Sequence, residues 1–135
     1  MAYKIIDIKG IGSVHSATLV KEGINTVEDL LAKAASKAGR VALAAATEIS
    51  ESQILRWVNM ADLFRIKGIA EDFSDLLEAS GVDTVKELRN RVPENLHKKV
   101  TEVNDEKKIA GRTPRLDEVT KWIEEAKTLA PTVTH

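Results

Sequence analysis

The sequence predicts an all-α protein built from two tandem copies of one helical unit, packed about a shared central helix. Three observations carry that expectation. Residues 8–30 and 66–88, superposed at a shift of 58, are identical at 10 of 23 positions (Ile8, Lys9, Gly10, Ile11, Ser16, Leu19, Gly23, Thr26, Val27, Leu30), where average composition would give about one or two. Between these blocks, apolar residues recur at helical spacing, with Gly, Ser, Thr and Pro where helices start and stop. Finally, residues 51–65 are apolar on nearly every side (Ile54, Leu55, Trp57, Val58, Met60, Ala61, Leu63, Phe64), leaving Arg56, Asn59, Asp62 and Arg65 as a thin polar stripe. A helix of that kind needs cover on more than one side. It is therefore expected to close unit 1 (residues 1–64) and to open unit 2 (residues 65–135).

Unit 1 leads in with Ile5, Ile6 and Ile8, turns at Gly10-Ile11-Gly12, and enters a helix that Gly23 ends. Asn25-Thr26 offers N-cap side chains for a second helix, with Glu28 and Asp29 in the first turn, where the helix dipole favours acids. Gly39 is expected to separate this helix from an alanine-rich one over 41–47. Ser50-Glu51-Ser52-Gln53 fits a capping box at the start of the central helix.

Unit 2 repeats the plan, with a turn at Gly68-Ile69-Ala70, a helix to Ser80, then Gly81. Asp83-Thr84-Val85-Lys86-Glu87 reads as the better capping box of the two copies. Pro93 suits the first position of a helix through Val103, and 104–113 reads as a polar loop. Thr113 and Pro114 are expected as N-cap and first residue of the last helix, with Leu116, Val119, Ile123 and Ala126 on one face. Trp57-Val58 plus Ala61 and Trp122-Ile123 plus Ala126 correspond at a shift of 65, so unit 2 carries seven extra positions.

Hydrophobic content of 43% and charged content of 30% fit a soluble globular protein. No apolar run approaches the ~18 residues that span a bilayer. The start lacks the pattern of a secretory signal and cysteine is absent, so a cytoplasmic location is the expectation. His97 and His135 stand alone, so neither a metal site nor a cofactor is expected. A net charge of −1 and a pI near 6.3 argue against holding nucleic acid by overall charge.

Gly10-Ile11-Gly12 between an apolar lead-in and a helix resembles the helix-hairpin-helix motif of SAM-like folds. Glycines take positive φ without steric penalty, so the chain reverses tightly and the next helix begins with unpaired N–H groups. Those groups and the helix dipole suit a backbone phosphate. The longer pattern, with Ala17-Thr18-Leu19, Gly23-Ile24, Thr26 to Leu30 and Glu48 to Glu51, is similar to the helical N-terminal domain of archaeal and eukaryotic RecA-type recombinases. Over the whole chain, including Trp57 to Gly68, the closer resemblance is to a microbial family of tandem helix-hairpin-helix proteins of unknown function. These resemblances imply an all-helical fold and association with DNA. Lyase-type glycosylases of the motif place a catalytic lysine two residues after the second glycine; here Val14 and Asp72 stand there. No catalytic residue is expected.

The phosphate grip is assigned to Lys9, Gly10, Ile11, Gly12, Ser13, Val14 and Lys21, a stretch where residues 8–24 balance to +1 (Lys9 and Lys21 against Glu22). Residues 66–82 balance to −3 (Lys67 against Glu71, Asp72, Asp75 and Glu78), so Lys67, Gly68, Ile69 and Ala70 are expected to be a structural hairpin. Residues 86–115 balance to +4, with Lys107, Lys108, Arg112 and Arg115 as a secondary basic patch, or else a solvated, self-paired loop. His15 takes the place of Phe73 and reads as a packing residue; both tryptophans read as core. The expected function is a non-enzymatic module that binds DNA weakly and without sequence preference. The alternative is a protein-interaction adaptor whose hairpins are only structural. The sequence sets no oligomeric state.

Overall fold

The structure is a computed structural model that describes residues 3–135; Met1 and Ala2, the start of the first unit, lie outside the described residues. The fold is all-α: a 3-10 turn at Ile5–Asp7 precedes α1 (Gly12–Lys21), α2 (Val27–Ala34), α3 (Lys37–Thr47), α4 (Glu51–Leu63), α5 (Glu71–Ala79), α6 (Val85–Leu88), α7 (Pro93–Lys107) and α8 (Leu116–Thr128). Two compact units divide the chain, residues 1–62 with 132–135, and residues 63–131.

The duplication extends from sequence to backbone geometry. In the first unit Gly10 has φ +86° and the Ile11 N–H donates to Ile8 O; in the second Gly68 has φ +92° and Ile69 N–H donates to Ile66 O. Both following helices end in a Schellman motif. Gly23 (φ +81°) donates to Val20 O and Ile24 to Leu19 O, while Gly81 (φ +92°) donates to Glu78 O and Val82 to Leu77 O. The positive φ is what demands glycine at these stops. Thr26 and Thr84 then cap α2 and α6 by accepting the Asp29 and Glu87 N–H groups at 3.1 and 3.2 Å.

Several boundaries differ from the sequence expectation, each for a local reason. The expected order of the capping boxes is reversed. Asp29 reaches back to the Asn25 and Thr26 N–H groups (3.0 and 3.1 Å), bonds that hold its carboxyl below the usual range. Glu87 instead turns forward to the Arg91 side chain at 3.2 Å. Gly39 does not separate two helices: α3 begins at Lys37, with Ser36 accepting the Gly39 N–H at 3.1 Å. There Gly39 serves close approach, since a Cβ on it would lie 2.1 Å from Lys33 O. Helix α7 runs to Lys107 rather than Val103, and the chain leaves it through Lys108 in the left-handed region (φ 53°). Arg115, not Thr113, stands at the N-cap of α8, because Glu118 takes the Arg115 N–H at 2.9 Å; Pro114 lies just outside the helix.

In the first unit the lead-in is tied to the α1–α2 turn by Ile5 N–H to Asn25 O and Val27 N–H to Tyr3 O, both 3.0 Å, around buried Ile5, Ile8, Ile11, Leu19, Ile24 and Leu30. Arg40, only 4% exposed, donates to Ala34 O, Ala35 O and Thr134 O at 3.1, 2.7 and 2.5 Å. It thereby satisfies carbonyls left over at the end of α2 and holds the last residues of the chain. Thr134 N–H completes the tie to Ala35 O at 2.9 Å, which explains why residues 132–135 belong with the first unit.

Residues 57–63, at the end of α4, and Phe64 just after it are buried without interruption, including the polar Asn59 and Asp62. In the second unit the core gathers Ile66, Ile69, Leu76, Leu77, Val82, Leu88, Leu96, Val100, Val119, Trp122 and Ile123. A tilted ring pair occurs in each unit: His15 with Trp57 at 5.2 Å, and Phe73 with Trp122 at 5.3 Å. His15 is thus a packing residue that replaces phenylalanine, and both tryptophans are buried.

Candidate nucleic-acid interface

Among the described residues, α1 is the one helix whose first turn has neither an acid nor a side-chain cap. Acids occupy the first turn of every other helix except α3, and Ser36 caps that one. The first N–H groups of any α-helix lack partners within it and carry the positive end of the dipole. At α1 these groups belong to Gly12, Ser13 and Val14, all exposed, Val14 to 76%. Gly12 holds φ +75°, a conformation costly for other residues, although a Cβ there would meet no atom within 4 Å.

The structure sorts the sequence-assigned residues into three groups. Gly10, Gly12, Ser13 and Val14 gather at the turn and the start of α1, with Ile11 buried beneath them. Lys9 is half-buried beside the turn. Lys21 lies in the last turn of α1, roughly 13 Å away along the helix axis at 1.5 Å per residue. It stands apart from the turn.

One cation near this turn escaped the sequence reading. The Arg56 guanidinium donates to Lys9 O at 3.4 Å, and its Nη1 would lie 3.4 Å from a Cβ on Gly10. A periodicity argument places Arg56 on the polar stripe of α4 but cannot bring it beside a turn 46 positions earlier, Gly10. Only tertiary packing does so.

The second turn is organised differently. Ala70 takes extended geometry (φ −134°, ψ −154°), and Glu71 and Asp72 fill the first turn of α5. The Lys67 N–H is held by the Glu125 carboxylate at 3.2 Å. Carboxylates therefore bracket this turn, and an anion is disfavoured there.

Of the secondary basic patch, Arg112 makes a bidentate pair with Glu118 at 2.7 and 2.8 Å and lies over the Phe73 ring at 5.1 Å. Arg115 Nε pairs with Asp117 at 3.2 Å. The bond from Arg112 lowers the Glu118 carboxyl to about 2, aided by the Arg115 N–H and opposed by partial burial. Lys107 and Lys108 are exposed. The loop they precede is fixed by Asn104, only 6% exposed: its Oδ1 accepts from Ala110 N at 2.8 Å, and its Nδ2 donates to Ala110 O and Thr113 Oγ1 at 3.2 and 3.3 Å.

A duplicated, all-helical scaffold with paired glycine turns defines the architecture. The chain belongs to the family described as a domain of unknown function (DUF4332), which matches residues 9–129. No solved structure matches it. Among the described residues, no helix is long and apolar enough to cross a membrane.

Proposed function

We propose that the protein is a non-enzymatic helix-hairpin-helix module that binds DNA weakly and without sequence preference, through backbone phosphates at its first glycine turn. The single observation that supports this reading is the start of α1, uncapped by any side chain and free of first-turn acids while the other helices are neutralised. A phosphate oxygen accepts from the N–H groups of Gly12 to Val14, with the Ser13 hydroxyl as a further donor and the Lys9 and Arg56 charges nearby. Sequence preference is not expected, because phosphate contacts position a protein without reading bases.

With about two or three phosphates engaged, log K should fall with log salt at a slope of roughly −2 to −3. The test is fluorescence anisotropy with a labelled duplex in dilute buffer, comparing the wild type with Ser13→Glu. The variant places a carboxylate at the N–H groups, so it should lose DNA binding while the helix gains about 0.3–1 kcal/mol from the dipole. Binding that survives this substitution, or a wild type that fails to bind at high protein concentration, refutes the proposal.

A further inference from the structure

A groove of about 600 Å³ lies beside the second glycine turn, formed by Gly68, Ala70 and Phe73 on one side and Ala110, Gly111 and Arg112 on the other. Its walls are small residues and one aromatic ring, which leaves space for an inserted side chain; a Cβ on Gly111 would meet nothing within 4 Å. Charge sets what enters. Arg112 is the cation of the lining, and its bidentate pair with Glu118 matches its charge. Exposed Glu71 also lines the groove and gives it acidic character, in keeping with the −3 balance of residues 66–82.

The groove also reflects how the two copies diverged. The second unit exceeds the first by seven positions between Leu88 and Trp122, and the wall Ala110 to Arg112 falls within that interval. Asn104 fixes the wall by its bonds to Ala110 and Thr113, so the groove is held open by a buried side chain.

We infer that this groove is a docking site for a segment of a partner protein that inserts one apolar side chain and carries lysine or arginine beside it. The apolar side chain covers Ala70 and the part of Phe73 beside Arg112, and the basic one meets Glu71. Nucleic acid is disfavoured by the same carboxylate, so the site is independent of the DNA reading of the first unit.

The experiment records amide shifts of the 15N-labelled full chain with two blocked pentapeptides, acetyl-Gly-Lys-Phe-Lys-Gly-amide and its counterpart with Glu in place of Lys. The lysine peptide should give saturating shifts at Gly68, Phe73, Ala110 and Gly111, with the glutamate peptide about tenfold weaker. Glu71→Lys should remove that preference, and Gly111→Val, which adds bulk to the groove wall without altering charge, should weaken both peptides. Shifts that never saturate, that are equal for the two peptides, or that map elsewhere overturn the inference. So does movement of the groove resonances on diluting the protein alone, which would assign the groove to a second copy of this chain.

Discussion

Replacing Gly39 by alanine sets two effects of opposite sign against each other. Gly39 sits inside α3, where alanine is ordinarily better than glycine by about 1 kcal/mol. Its φ lies outside the left-handed region, so no backbone strain opposes the change. The added Cβ, however, would lie 2.1 Å from Lys33 O, 3.2 Å from Lys33 C and 3.3 Å from Ala34 Cα. These are backbone atoms of α2 and cannot rotate aside. Restoring ordinary contact requires α3 to retreat by roughly 1 Å, the kind of overpacking that costs about 1–3 kcal/mol. That shift would also stretch the Arg40 bonds to Ala34 and Ala35. A backbone contact this short puts the cost at the upper end of that range, about 3 kcal/mol, so the clash wins with a net loss of about 2 kcal/mol once the propensity gain is subtracted. For a chain of this size the loss lowers Tm by roughly 4–10 °C, measured by circular dichroism on heating and checked by urea unfolding. Gly111→Ala is the control: its Cβ meets nothing and its φ is not positive, so stability should hold or rise by about 0.4–1 kcal/mol. A Gly39→Ala protein as stable as the wild type refutes the close-approach argument.

Arg40→Met keeps the apolar stem but removes the donors to three carbonyls; a loss of about 2–4 kcal/mol is expected, with faster hydrogen exchange at the Thr134 amide. Asn104→Ala leaves the Ala110 amide without its partner and should cost about 1–3 kcal/mol, with lost exchange protection confined to the loop after α7. Glu118 has its carboxyl lowered from 4.5 to about 2 in the folded chain, so its contribution is full above pH 4.5 and is lost as pH falls toward 2. The stability gap between wild type and Glu118→Gln should close across that window; a gap independent of pH would show that the charged pair with Arg112 contributes nothing.

Much of the local geometry was legible in the residues themselves, because it depends on interactions within a few positions. Gly23 and Gly81 had to end helices, since only glycine adopts the φ near +81° and +92° observed there without strain. Thr26, Thr84 and Pro93 marked helix starts by chemistry that requires no tertiary partner. His15 was placed as a packing residue by its alignment with Phe73. What local rules misjudged were residues with two available partners. Glu87 had both a capping N–H and Arg91 within reach, and the arginine won.

The all-α class, the duplication and the glycine turns follow from the order of residues alone, because repeat identity, helical periodicity and backbone permissiveness are written position by position. Long-range packing is what makes Gly39 a point of close approach, buries Arg40 against the end of α2, brings Arg56 to the first turn and matches Arg112 with Glu118 beside a groove. These outcomes depend on which distant atoms fall within 3–4 Å of one another, and charge or spacing along a chain does not contain that information.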